Sequence, residues 1–124
     1  MDKTTQVVSS REKIFAKLFA CTFLKKNLES CLSKNTDSTY FGQLLRSLDE
    51  IDIVIATKAK ERPLAEINKI DLAILRLIVF EWRKKKTAPK ILINEAVELA
   101  RSFGTDSSYR FVNGVLGKIM LGEE

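Results

Sequence analysis

Few side chains in this sequence could make or break a covalent bond. Histidine is absent, so the commonest general base and metal ligand is missing. The two cysteines, Cys21 and Cys31, fit no zinc spacing. They read as small apolar residues of a reducing compartment rather than as a disulfide. Asp49, Glu50 and Asp52 crowd one stretch, but a catalytic carboxylate pair needs a pocket and opposed environments, and the pattern reads as a solvated face. There is no GxxxxGK[ST], no GxGxxG, no Ser/His/Asp set and no thiol–imidazole pair. The chain is therefore expected to be no enzyme, with no metal and no cofactor. What remains is the chemistry of binding. Through Lys34 there are seven basic residues against three acidic ones, and Arg83-Lys84-Lys85-Lys86 forms a second basic run. That run either complements a helix dipole, worth a few tenths of a kcal/mol per cation, or touches phosphate; both readings stand. The net charge of +5 permits nucleic-acid contact without requiring it.

These groups must be positioned by helices. A length of 124 residues suits one domain, with Pro63 as the clearest internal boundary, between halves of about 1–62 and 63–124. Ser9 followed by Glu12 forms a capping-box pattern that opens a helix running to about Lys26. Leu28 to Leu32 suits a short second helix. After a polar loop, with Asp37 or Ser38 as N-cap, the stripe Phe41, Leu44, Leu45, Leu48, Ile51 and Ile55 predicts one helix to about Ala59. Leu72 to Trp82 is apolar nearly all round and should be the buried central helix. Arg76 lies inside it, and a buried guanidinium needs a carboxylate; Glu95 is the first candidate. No secretory signal opens the chain, and the run Leu72–Phe80 is too short to span a bilayer, so a cytoplasmic location and no membrane contact are expected.

Two further helices follow from Ile91 to Leu121. Ile93, Ala96, Val97, Ala100 and Phe103 form one apolar face, with Gly104 placed for a left-handed C-cap. Phe111, Val112, Val115, Leu116, Ile119 and Met120 form the next, capped by Asp106 or Ser107. Gly114 and Gly117 fall inside this last helix, at a cost of about 1 kcal/mol each relative to alanine. Something should approach the backbone closely there: either a tight helix crossing or a partner lying over that face.

INEAVELARSFG followed by FVNGVLGKI resembles the signature of the NusB family of bacterial antitermination factors. IDLAILRLIVFEW resembles that family's central helix, and REKIFAKLF its first. The likeness spans nearly the whole chain, strongest from Asp71 onward. It implies an all-α fold of about six or seven helices in two small bundles packed roughly perpendicular. It also implies a factor that binds the boxA segment of ribosomal RNA together with the ribosomal protein NusE, within the RNA polymerase antitermination complex. A related domain occurs fused to some ribosomal-RNA cytosine methyltransferases, but this length leaves no room for their cofactor-binding unit.

Carried over by position, Arg11 and Phe19 fall on RNA-contact sites of the family, and Phe111 on the aromatic beside FVNG. Phe19 reads equally as a core residue, because it lies on the apolar face. Tyr109 and Arg110 flank Phe111 and add a ring and a guanidinium suited to stacked bases and phosphates. Where the family has several arginines before Arg11, this chain has Gln6-Val7-Val8-Ser9-Ser10. Lys3, Lys13 and Lys17 compensate in part, yet lysine lacks the planar fork that grips phosphate. Weak binding of single-stranded RNA is expected, strengthened by the protein partner. The alternative is a helical interaction module that keeps the ribosomal-protein contact and has largely lost RNA binding. Glu81 and Ser107, on the exposed flanks of the central helix and in the turn after Gly104, are expected at the partner surface. Apolar residues left exposed on the first helix could be covered in a homodimer.

Overall fold

The computed structural model describes residues 10–35 and 38–123. Among them lie α1 (Ser10–Thr22), α2 (Lys25–Lys34), α3 (Tyr40–Arg46), α4 (Leu48–Lys58), α5 (Lys69–Lys85), α6 (Pro89–Phe103) and α7 (Ser108–Met120). A 3-10 turn at Leu64–Glu66 follows Pro63, and no strand occurs among the described residues. The described residues are all-α, as the apolar periodicity and the family resemblance imply. Lys3, the Gln6–Ser9 stretch and Asp37 lie outside the described residues.

α5 is the central helix. It packs against α1, α4, α6 and α7, and α6 packs along α7. Its residues from Asp71 to Glu81 are buried except Leu72 and Arg76, which are half-buried. Asn68 caps its start, the side-chain Oδ1 accepting from the N–H of Ile70 at 2.7 Å and of Asp71 at 3.3 Å. It ends at Lys86, which takes the left-handed conformation (φ 59°, ψ 29°).

The first helix stops at Thr22, short of Lys26, because Leu24 is extended and starts α2 anew at Lys25. α2 has no fully buried residue. Cys21 and Cys31 are joined in a disulfide that ties α2 to α1, which corrects the expectation of two free thiols. Their spacing gave no zinc pattern, and only the turn at Phe23–Leu24 folds the second helix back far enough to bring them together.

The helix expected from Tyr40 to Ala59 is two. The Ser47 hydroxyl donates back to the Gln43 carbonyl at 2.8 Å, and Ser47 sits at φ −96°, ψ 0°, where the axis breaks. The predicted stripe is nonetheless buried throughout, because α3 and α4 turn the same face to the core. The N-cap is Thr39, whose Oγ1 accepts from the Gly42 N–H at 3.1 Å, rather than Asp37 or Ser38.

Arg76 pairs with Asp52 of α4 and not with Glu95. Its Nε and one terminal nitrogen each reach a separate Asp52 oxygen at 2.8 Å. Asp52 is thus an anchor between α4 and α5, while Asp49 and Glu50 stay exposed.

The glycines also differ from expectation. Gly104 is extended (φ −94°, ψ −167°), not left-handed. A β-carbon there would lie 2.8 Å from the Ala100 carbonyl and collide with Ser108, so close approach rather than backbone freedom demands glycine. Over Gly117 lies the Glu123 carboxylate, whereas nothing lies within 4 Å of a β-carbon built on Gly114. No helix crossing explains Gly114; it opens onto the surface.

Candidate functional site

Arg11, expected to touch RNA, makes a two-pronged contact with a carboxylate 70 residues away. Its Nε donates to Glu81 Oε1 at 2.8 Å and its Nη2 to Oε2 at 2.7 Å. The remaining nitrogen, Nη1, lies 3.4 Å from Glu95. Glu81 is buried, not on an exposed flank as expected, because position 81 of α5 faces the start of α1. Burial by itself would push its carboxyl up. The hydrogen bond and charge of Arg11, aided by Lys85 and Thr87, outweigh that and hold it below the ordinary 4.5. Tyr40 closes the cluster, with Lys85 Nζ 4.7 Å from its ring centre. Burial and then the nearby Glu81 charge push the Tyr40 phenol up to about 12, against Arg11. This arrangement fixes the entry of α1 against the exit of α5.

Phe19 is half-buried in a row of rings. It lies 6.3 Å from Phe15 and 5.4 Å from Phe23, and Phe15 meets Phe103 at 5.2 Å. Phe19 packs on the core, and the rings at the two ends of the row, Phe23 and Phe103, are each 45% exposed. Lys69 covers the Phe23 ring at 5.3 Å and donates to the Phe23 carbonyl at 3.2 Å. Sequence reasoning missed Phe23 because it ran the first helix on to Lys26, whereas the helix ends at Thr22 and leaves Phe23 in the turn.

Tyr109, Arg110 and Phe111 are brought together at the start of α7. The Arg101 guanidinium stacks 4.4 Å from the Tyr109 ring centre, and Arg110 Nε donates to the Tyr109 hydroxyl at 3.1 Å. Arg62 lies 4.5 Å from the Phe111 ring centre. A groove of about 410 Å³ runs beside them, lined by Arg62, Arg110, Phe111, Gly114, Val115 and Lys118, with Glu61 at its edge. Arg62, Arg101 and Lys118 were not singled out by sequence. Arg101 could have been: the tight turn at 104–107 folds α7 back on α6, so the last turn of one faces the first turn of the other.

Ser107 is exposed near this groove, its hydroxyl 3.4 Å from that of Thr105. Ser107 holds the N-cap position of α7, as expected, but its side chain makes no cap bond; Ser108 is buried, its Oγ accepting from the Thr105 N–H at 2.9 Å in the turn before the helix. Below it, Asp71 is buried at the start of α5. Burial pushes its carboxyl up, with Ser108 and the Arg62 charge opposing. Among the described residues no three metal-ligating side chains converge, and no helix is long and apolar enough to cross a membrane.

Rings covered by guanidinium, further cations and an open stretch of helix backbone suit an anionic strand with unpaired bases. Comparison with known proteins identifies the family of the chain. Residues 8–121 match the model of the NusB family. The chain is 44% identical over 93 residues to the transcription antitermination protein NusB of Aeromonas hydrophila, covering 71% of this chain and 67% of that protein. It is 56% identical over 94 residues to that of Idiomarina loihiensis, covering 69% and 65%. The match to that of Clostridium acetobutylicum is 34% over 128 aligned positions and covers 93% of this chain and 95% of the relative.

Proposed function

The chain belongs to the NusB family of non-enzymatic antitermination factors, and from that premise we propose that it binds single-stranded boxA-type ribosomal RNA together with the ribosomal protein NusE. In this reading it supports transcription of ribosomal RNA in the cytoplasm, where the nascent strand emerges. The observation that carries the proposal is the groove beside α7. Arg62, Arg110 and Lys118 supply charge, Phe111 supplies a ring with Tyr109 beside it on Arg101, and Gly114 leaves the helix backbone open to a strand lying over it. Among the residues drawn from sequence, Tyr109, Arg110 and Phe111 are the RNA-facing set. Arg11 acts by fixing the start of α1, and Lys3 precedes it. Ser107, exposed at the turn before α7, is the remaining candidate for the protein partner.

A second reading keeps the ribosomal-protein contact without RNA. It is favoured by the Arg11 guanidinium being engaged by Glu81, in a chain that lacks arginines before it. Titrating labelled boxA RNA with and without NusE at two salt concentrations separates the two. The RNA reading predicts binding that NusE tightens and that salt weakens by a slope of about 0.7 per phosphate contact. Binding of NusE alone, indifferent to RNA, would establish the second reading. Pairing of two copies would use the apolar residues at the end of α1, Phe23 and Leu24, and would appear as a concentration-dependent sedimentation coefficient.

A further inference from the structure

Apart from Lys85, the far end of α5 carries charge that neither the Glu81 cluster nor the groove beside α7 employs. Arg83, Lys84, Lys85 and Lys86 are all exposed. Among the described residues, no carboxylate lies within ion-pair distance of any of them. Lys85 leans over Tyr40 toward Glu81, whereas among the described residues Arg83, Lys84 and Lys86 make no hydrogen bond or ion pair, although Arg83 and Lys84 line a groove with Glu50. Trp82, the only tryptophan, is half-buried one turn before Lys86. With Arg83 and Lys86 it lines a groove of about 440 Å³. Its indole N–H donates to no described residue and is not buried, so one edge of the ring is wet.

A solvated helix end accounts for these residues poorly. Cations in the last turn complement the dipole, but Arg83 and Lys86, three residues apart, repel each other by about as much as each gains. Lys86 is also the one non-glycine residue at positive φ among those described, a backbone state that L side chains adopt rarely. Glycine there would relieve the backbone and remove a repelling charge. The chain instead holds a lysine, beside an indole with a free edge.

We infer that this end of α5 is a second contact for single-stranded RNA, with a base stacked on Trp82 and phosphates held by Arg83, Lys84 and Lys86. The inference rests on the RNA-binding reading and extends it. The site is distinct from the groove beside α7: Asp71, at the start of α5, lies near Arg62 and Ser108, whereas Trp82 is at its end, roughly 17 Å along the helix at ~1.5 Å per residue. It adjoins the start of α1 instead, through the groove shared by Ser10, Arg11, Tyr40, Glu81 and Lys85. Charge missing from the sequence before Arg11 is thereby supplied from another helix at the same corner of the fold.

Trp82 is its own reporter. A 5′-labelled single-stranded RNA of about a dozen nucleotides is titrated into the full chain, following RNA anisotropy and tryptophan fluorescence together. Binding is expected to quench Trp82, and Trp82→Ala to weaken affinity at least about fivefold. Replacing Arg83, Lys84 and Lys86 together by glutamine lowers the salt slope by up to about 2, without loss of helicity. Lys86→Gly gives the sharper contrast: it holds or raises the melting temperature while weakening RNA binding. Rising anisotropy with Trp82 unmoved and the triple variant's slope unchanged overturns this site and leaves RNA binding elsewhere intact. Flat anisotropy overturns both this site and the RNA-binding reading on which it rests. Loss of ribosomal-protein binding in the triple variant, with RNA affinity preserved, assigns the patch to a protein and overturns the inference.

Discussion

Arg11 and Glu81 clasp each other through two hydrogen bonds, at 2.8 and 2.7 Å, across 70 residues of sequence. The carboxylate is buried and the guanidinium partly so, which makes the pair costly to break from either side. It is the joint between the first helix and the central one, and it sets where the chain before α1 emerges.

Removing the cation leaves a buried charge unpaired. Arg11→Ala is expected to cost about 2–4 kcal/mol in urea unfolding, with Glu81→Gln costing less because a neutral amide still accepts from Arg11. The sign of the pH effect follows from the depressed Glu81 carboxyl. Its contribution is fully present above its ordinary value of 4.5 and is lost as pH falls through the lower folded value. The stability gap between the parent and Glu81→Gln should therefore close in acid, below the ordinary carboxylate range.

The Arg76–Asp52 pair makes a parallel case on the other side of α5. Arg76→Ala strands Asp52 between helices and is expected to cost about 1–3 kcal/mol. The double change Arg76→Met with Asp52→Leu should recover most of that. Chemical denaturation of the single and double variants measures the difference directly.

Two glycines should respond in opposite senses. Gly114→Ala meets nothing and gains helix propensity, so it should stabilise by about 0.5–1 kcal/mol. Gly104→Ala collides with Ser108 and crowds the Ala100 carbonyl, and should destabilise by about 1–3 kcal/mol. Thermal melts read both. RNA anisotropy on Gly114→Ala adds a second readout, since a strand lying over the open backbone would be pushed away.

The disulfide holds a helix that buries little of its own. Closing the ten-residue separation between Cys21 and Cys31 constrains the unfolded chain by about 2–3 kcal/mol. Reduction should lower the melting temperature and raise amide exchange in α2, which has no buried residue, before it affects α5.

How much was legible from sequence divides along the range of the interactions. The stripe from Phe41 to Ile55 and the apolar run to Phe80 fix helices and core because burial follows periodicity. The break at Ser47 escaped that reasoning, since a hydroxyl bonding back one turn leaves the stripe intact. Choice of partner escaped too. Periodicity says that Arg76 needs a carboxylate, but whether Asp52 or Glu95 answers depends on how α4 and α6 lie beside α5. Glu81 was misplaced for the same reason: on its own helix it looks like a solvent-facing charge near a basic end. At the candidate site, Tyr109, Arg110 and Phe111 were readable as adjacent residues, whereas Arg62 and Arg101 reach the same rings only through the turns before α5 and α7.

The most direct test of the central claim is terminator read-through in a reconstituted transcription reaction on a template with a boxA leader, with and without this chain. With NusE and the other antitermination components present, adding the chain should raise the fraction of transcripts passing the terminator. That gain should vanish when boxA is scrambled. Read-through that is the same with and without the chain, or a gain indifferent to boxA, would contradict the account.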